Sequence, residues 1–383
     1  VDASEAMQQA IIQAYRVEGR TSPRPPVGAV VVRDGHIVGA GATAPPYGPH
    51  AEIVALTMAG TQAQNADLYV TLEPCCVTIH TPPCTQAIIA AGIQRVFVAQ
   101  TDPNPLVAGR GITQLEAAGI SVHMQPTIEA SQLIRPFTTY ITTQRPHVTA
   151  KWAMTLDGKI ASIAGDARWI SGPESRTWVH DLRDRVDAIL IGANTARIDN
   201  AQLTVRLTPE QQAISQRTTR PAPWRVVIAS NGDLPEPLAL LQPALAERTI
   251  IIVGESCTQQ QQQRLLAFGV RVLPVANDAT GRADLLAALQ ALAGEGIMHV
   301  LLEGGAQLLG SAFEQMCIDD AVTFIAPIVI GGAQAPTAIA GRGVAQIQHG
   351  WSLDHLRVQQ SGADVMVTGT INYQAYLQST TRA

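Results

Sequence analysis

Residues of metal-binding type stand close together in one stretch: His50 in His50-Ala51-Glu52, Cys75 in Pro74-Cys75-Cys76, and Cys84. One imidazole and two thiolates hold a catalytic zinc while leaving its fourth position open to water. Zinc draws the pKa of such a water toward neutrality, and a glutamate at position 52 is placed to carry the proton to a departing amine. His50, Cys75 and Cys84 are therefore the candidate zinc ligands and Glu52 the candidate proton shuttle, a donor set suited to hydrolytic deamination of an amino-bearing ring. Cys84 opens an apolar run, so its thiolate gains from a helix N-terminus. Taken singly, each of these residues has a plainer reading as core packing, since reduced cysteine is often simply buried. Cys76, a neighbour of a ligand, reads as packing, and Cys257 and Cys317 as inert.

Five cysteines in 383 residues, an odd number, argue against a disulfide framework and for a reducing, cytoplasmic compartment. The length predicts two domains, three at most. A formal charge of −5 gives no basic footprint for nucleic acid, and no apolar run approaches the length of a membrane span. No nucleic-acid or membrane partner is expected.

These side chains need a scaffold, and the first third alternates helix and strand. Helical spacing covers Met7 to Tyr15, and strands Val27 to Val32 and Ile37 to Ala40 flank Asp34-Gly35, a hairpin signal. A helix follows His50. Then come a strand at Leu68 to Leu72, a helix at Thr85 to Ala91, a strand at Val96 to Ala99, a helix at Ile112 to Ala118 and a strand at Ile120 to His123. The pattern predicts an α/β/α sandwich with the metal residues at one sheet edge. It weakens between Thr138 and Pro146, which places a domain boundary near 145 and predicts domains 1–145 and 146–383. A second alternation has strands at His147 to Met154, Ala188 to Ile191, Trp224 to Ala229, Thr249 to Val253, Val270 to Leu273, His299 to Leu302 and Ala321 to Ile330.

The second domain carries weaker chemical signals. A strand ending at Glu303 runs into Gly304-Gly305-Ala306-Gln307 and an apolar helix, a turn through which backbone amides approach phosphate; a plain tight turn is the alternative. Lys151, Asp157-Gly158-Lys159, Arg183, Thr195, Asp199 and Arg206 form a group whose cations suit an anionic ligand, with surface salt bridges as the alternative. Trp169 reads equally well as core or as the lead into an exposed turn at Ile170-Ser171-Gly172-Pro173.

The ordered motifs His50-Ala-Glu52, Thr71-Leu-Glu-Pro-Cys75, Thr81-Pro-Pro-Cys84, Asp102-Pro-Asn-Pro-Leu-Val-Ala-Gly-Arg-Gly111, Leu156-Asp-Gly158, Trp169-Ile-Ser171, Leu203-Thr-Val-Arg206, Glu303-Gly-Gly305 and Ile325-Ala-Pro327 strongly resemble the bifunctional deaminase/reductase family of riboflavin biosynthesis. The resemblance covers essentially the whole chain. It implies a cytidine-deaminase-like domain that deaminates a phosphorylated diaminopyrimidine, followed by a dihydrofolate-reductase-like domain that reduces its ribosyl group to ribityl with NADPH. By motif, Ala153, Trp169, Thr195, Asp199, Ser230, Gly305, Ala306, Gln307, Leu308, Leu309, Gly310 and Ser311 match NADPH-contacting positions. Ala167, Arg183, Leu203, Arg206 and Glu303 match substrate-contacting positions, with Lys151 nearby. The family's usual association implies a homo-oligomer through the reductase domain.

Departures from the family pattern cluster around the first site. Arg24 in Pro23-Arg24-Pro25 replaces an asparagine expected to hold the pyrimidine, and Cys76-Val77-Thr78-Ile79-His80 replaces a segment close to Ser-His-His-Gly-Arg. A buried cation in place of a neutral amide changes which ring edge is bound. Three expectations follow: a working bifunctional enzyme; a paralogue with a weakened or redirected deaminase that acts mainly as a reductase; or a nucleic-acid-binding relative of base-editing or tRNA deaminases, against which the acidic balance and the reductase domain argue.

Overall fold

The computed structural model describes residues 1–78, 82–215, 217–374 and 376–377. The chain forms two compact units, Val1–Arg145 with Pro209–Pro221, and Pro146–Thr208 with Ala222–Ala383. The segment Pro209–Pro221, which the sequence reading leaves in the second domain, thus belongs with the first. There the Thr218 amide donates to the Arg16 carbonyl at 3.1 Å, and the Arg220 guanidinium donates to the Gly19 carbonyl at 2.6 Å.

The first unit holds β1 (Gly28–Arg33), β2 (His36–Ala42), β3 (Asp67–Val70), β4 (Arg95–Val98) and β5 (Ser121–Met124) in the order β2-β1-β3-β4-β5. β1 runs antiparallel to β2 and β3, while β3, β4 and β5 are parallel. The expected hairpin forms because Asp34 and Gly35 both take positive φ, 51° and 75°, matching the twist of the strands it joins. Its helices are α1 (Ala3–Arg16), α2 (Ala51–Ala59), α3 (Cys84–Ala90), α4 (Arg110–Ala117) and α5 (Ile128–Thr143). Alternate residues of β1 feed opposite faces: Ala29 and Val31 pack with Ala55, Ile88 and Leu115, and Val30 and Val32 pack with Met7, Ile11 and Leu133. Gly41 lets α2 lie directly on β2, since a Cβ there would sit 2.6 Å from the Ala51 carbonyl oxygen. That close approach fixes the start of α2, where His50 and Glu52 stand.

The second unit is a nine-stranded sheet of order β10-β9-β8-β7-β11-β6-β12-β14-β13. Its strands are β6 (His147–Thr155), β7 (Ala188–Gly192), β8 (Trp224–Ile228), β9 (Thr249–Val253), β10 (Arg271–Pro274), β11 (His299–Glu303), β12 (Asp320–Ala326), β13 (Ser352–Ser361) and β14 (Asp364–Asn372). All are parallel from β10 across to β12, and β14 and β13 close the sheet antiparallel. The parallel strands are buried on both faces, so they read as continuous apolar runs such as Thr249–Val253. Helices α6 (Pro173–Arg185), α7 (Ala193–Asp199), α9 (Pro243–Ala246), α10 (Gln259–Leu266), α11 (Leu285–Gly294) and α12 (Ala306–Glu314) complete this unit, while α8 (Pro209–Ser215) lies in the first.

Most expected strands match the observed ends within two residues. One does not: the run expected to reach Ile330 leaves the sheet after Ala326. Its later amides turn to the Asp157 carboxylate, which accepts from Ile330 at 3.2 Å and Gly331 at 2.7 Å. The weak pattern from Thr138 to Pro146 proves to be largely the end of α5, which carries Pro136 inside it and buries Ala130, Leu133, Ile134 and Phe137 along one stripe. The outer hairpin β13–β14 was not anticipated.

Candidate active sites

In the first unit His50 is the N-cap residue of α2, extended at φ −75°, ψ 163°, and its side chain makes no capping bond. The imidazole is therefore free to face the loop after β3. Cys75 lies in that loop, and Cys84 is the first residue of α3. The His50 Nδ1 is 3.3 Å from Cys84 Sγ and 3.5 Å from Cys75 Sγ, and the Cys84 amide donates to Cys75 Sγ at 3.4 Å. The potential ligand atoms of all three residues lie within 4.8 Å of one another. Two sulfurs and one imidazole nitrogen converging from separate elements fit a tetrahedral zinc with one position left over.

The close packing of these groups shifts the titration of each. The hydrogen bond with Cys84, aided by His50, lowers Cys75 to about 4, while that same bond and burial raise Cys84. The bond to Cys75 raises His50. Glu52, only 3% exposed in the first turn of α2, is raised to about 7, first by burial and then by the charge on Cys75. A carboxyl near neutrality suits a group that takes and returns a proton.

These residues open onto a cavity of about 320 Å³ lined also by Arg24, Tyr47, Asp102, Asn104 and Phe137. Arg24 differs from the expectation of a cation presented to the pyrimidine. Its Nη1 donates to the Gly48 carbonyl at 2.8 Å, and its Nη2 donates to Ala44 at 2.7 Å and Pro45 at 2.5 Å. The guanidinium ends thus hold the 44–48 turn, which forms a cavity wall. Of the other departure, Ile79 and His80 lie outside the described residues, as does Thr81, while Val77 lines the cavity. Cys76 is half-buried, and Cys257 and Cys317 are buried and form no disulfide.

The sequence places Glu73 in the Thr71-Leu-Glu-Pro-Cys75 motif without giving it a role. This carboxylate, 3% exposed, accepts amides from Asp102 (3.2 Å), Gly109 (3.0 Å), Gly111 (2.9 Å) and Ile112 (3.2 Å). It closes the 102–112 loop onto the strand that delivers Cys75. Asp102, raised to about 6 by burial, was quoted in a motif without a role.

In the second unit a cavity of about 900 Å³ spans the carboxyl ends of the parallel strands. Lys151, Ala153, Ala167, Arg183, Thr195, Asp199, Leu203, Ser230, Glu303, Gly305, Ala306, Gln307, Leu308, Leu309 and Ser311, singled out in the sequence, all line it. Trp169, Gly310 and Arg206 do not. Trp169 is 71% exposed with the Arg176 guanidinium 4.7 Å from its ring centre. Gly310 faces Ala340, whose carbonyl oxygen would stand 2.0 Å from a Cβ. Arg206 is exposed, its amide donating to His180 Nδ1 at 3.3 Å.

Arg183 and Glu303 form a forked pair, Nε to Oε1 at 2.5 Å and Nη2 to Oε2 at 2.8 Å, with Nη1 donating to the Thr204 carbonyl at 3.0 Å. Burial lowers Lys151 against the opposing charge of Glu303, which makes it a partly buried amine beside a carboxylate. Gly304 and Gly305 both hold φ of 80°, and a Cβ on Gly305 would sit 3.0 Å from Thr195 Oγ1. The turn thus leaves backbone amides at the start of α12 open to the cavity. A cavity of that volume with glycines at a strand-to-helix turn fits a dinucleotide.

A zinc-type hydrolytic site on an α/β/α sandwich, joined to a parallel-sheet domain with a dinucleotide-sized cleft, defines a deaminase fused to a reductase. Residues 1–100 match the cytidine and deoxycytidylate deaminase zinc-binding region, and residues 146–367 match the RibD C-terminal domain. Riboflavin biosynthesis protein RibD of Bacillus amyloliquefaciens is 40% identical over 94% of both chains, and that of Aquifex aeolicus 38% identical over 94% of this chain and 96% of the relative. Acinetobacter baumannii RibD superposes with TM-score 0.82 at 32% identity, covering 96% of this chain and 98% of that one. A deaminase/reductase from Thermotoga maritima gives TM-score 0.78 at 30% identity with the same coverage. The chain belongs to the RibD family.

Proposed function

We propose that this chain catalyses two steps of riboflavin biosynthesis, with His50, Cys75, Cys84 and Glu52 serving the first and the 900 Å³ cleft serving the second. The Thermotoga maritima relative is a diaminohydroxyphosphoribosylaminopyrimidine deaminase/5-amino-6-(5-phosphoribosylamino)uracil reductase, and the same substrates are assigned here. The convergence of one imidazole and two sulfurs beside a buried glutamate carries the reading.

In the first step water replaces the ring amino group: a C–O bond forms, the C–N bond breaks and ammonia leaves. His50, Cys75 and Cys84 would hold the zinc, which would supply an acidified water. Glu52 takes the proton released on attack and returns it to the leaving nitrogen, a task matched by its buried place in the first turn of α2, two residues from His50. Val27, Phe137 and Ile141 give the cavity apolar walls, and Arg24 fixes its 44–48 side. In the second step a bound NADPH would supply the hydride; as the C–H bond forms at the sugar carbon, that carbon's bond to the ring oxygen breaks and the oxygen takes a proton. Lys151 beside Glu303 is the amine placed to hold or move a proton at the opening sugar, and Arg183 orients Glu303. Thr195, Ser230 and the Gly304–Ala306 turn are assigned to the cofactor.

Nothing in the relatives favours a chain confined to reduction. No helix among the described residues is long and apolar enough to cross a membrane, and an odd number of cysteines, none of them in a disulfide, supports placement in the cytoplasm. Self-association through the reductase domain is supported by Leu356, Val358 and Val365, exposed on the outer hairpin.

A split assay tests the reading. The zinc-loaded protein should release ammonia from the diaminopyrimidine ribosyl phosphate without cofactor and should oxidise NADPH when given the deaminated product. Glu52→Gln should abolish only ammonia release. Loss of both activities in that variant, or NADPH oxidation alone in the parent protein, would overturn the assignment.

A further inference from the structure

The reductase cleft has two chemically distinct ends. Lys151, Arg183 and Glu303 mark one; Ser230, Asp278 and Arg282 mark the other, on loops beyond β8 and β10. Resting on the reductase reading above, a dinucleotide with its nicotinamide at the first end puts its adenosine half at the second.

That second end is a stiff, built structure. Asp278 and Arg282 close a turn through the Asp278 amide donating to the Arg282 carbonyl at 2.7 Å. The Asp278 Oδ1 accepts from the Thr280 amide (2.8 Å), the Thr280 hydroxyl (2.6 Å) and the Arg282 amide (3.1 Å). The neighbouring Ala283 amide donates to Ser230 Oγ at 2.9 Å, which ties the turn to the strand end. The Arg282 guanidinium, by contrast, makes no hydrogen bond among the described residues, although it lines the cleft and is exposed.

We infer that Arg282 is the residue that reads the 2′-phosphate of NADPH and so sets the preference over NADH. A forked guanidinium on a rigid turn matches a phosphate dianion in geometry and charge. Asp278 sharpens the choice. Its carboxylate repels a 2′-phosphate and accepts from a 2′-hydroxyl, so an unopposed Asp278 favours NADH, and Arg282 offsets it. The cation therefore discriminates between the two cofactors instead of adding equally to both.

The test is calorimetric titration of the full-length, zinc-loaded protein with NADPH and with NADH. Arg282→Ala should weaken NADPH by about tenfold or more and leave NADH unchanged or tighter. Arg282→Lys should retain part of the NADPH affinity, and adding Asp278→Asn to Arg282→Ala should recover some of it. Equal weakening of both cofactors, or unaltered NADPH binding, overturns the inference. If the parent protein binds neither cofactor, the reductase reading falls with it; if the parent binds NADPH and Arg282→Ala keeps the same preference, only the role of Arg282 falls.

Discussion

The carboxylate of Glu73 accepts the amide of Gly111 at 2.9 Å, and Gly111 is held so close to the preceding loop that a Cβ on it would stand 2.1 Å from the Pro74 carbonyl oxygen. Glu73 is two residues before Cys75, so a metal ligand and the 102–112 loop are fixed by one buried anion and a missing side chain. Four backbone amides on a carboxylate are a strong, charge-assisted arrangement.

Glu73→Gln should therefore loosen the deaminase domain. An amide keeps one acceptor oxygen and brings two donors into a site that offers only donors. The expected loss is on the order of 2–4 kcal/mol in urea unfolding of that domain. Zinc should leave faster to a chelator, and NADPH oxidation should stay unchanged. Gly111→Ala should act in the same direction by steric overlap with Pro74. An unaltered zinc off-rate in both variants would show that this clamp does not position Cys75.

The zinc residues were legible in the sequence because His50 and Cys84 sit at helix starts and Cys75 in the short loop leading to the second of them, where type and local spacing speak directly. Glu73 was not, since its partners are backbone amides far along the chain and leave no pattern in residue types. The parallel strands were readable as apolar runs. β13, with eight of its ten residues exposed or nearly so, has no burial alternation to betray it, and Pro136 masked α5 despite its buried stripe. The cofactor cleft showed in residue types only through the Gly304-Gly305 turn and the cations around Lys151 and Arg183; the rest of its lining was readable only by resemblance. Arg282 carried no motif at all, and only the fold brings it to the mouth of the cleft.

Arg24 replaces three solvent hydrogen bonds on the carbonyls of Ala44, Pro45 and Gly48. Arg24→Ala should lower the melting temperature of the deaminase domain by about 2–6 °C and raise KM for the diaminopyrimidine several-fold, with a smaller change in kcat. A wall that shifts misplaces substrate without altering the zinc donors. A fall in kcat at constant KM would instead put the guanidinium in contact with the reacting ring.

The Arg183–Glu303 fork is mostly buried, its side chains 15% and 12% exposed. Removing one partner strands the other, so Arg183→Met or Glu303→Leu alone should cost about 3–5 kcal/mol, while the double variant should recover much of that loss. NADPH oxidation should remain low in all three, because apolar packing restores the fold but not the charged pair beside Lys151. Additive losses in the double variant would mean that the two side chains are not energetically coupled.

His180 supplies a pH dependence whose sign is fixed by its surroundings. Burial, then the charges of Arg183 and Arg206, lower it to about 4, with Glu303 opposing. The unfolded chain, with histidine near 6.5, binds the proton that the folded domain refuses. Stability is therefore fully present above about 6.5 and falls as pH drops toward 4. His180→Asn keeps an acceptor for the Arg206 amide but cannot titrate. Its urea midpoint for the reductase domain should lose less than the parent's between pH 7 and pH 4.5. Equal losses in both proteins would assign the acid sensitivity to other groups.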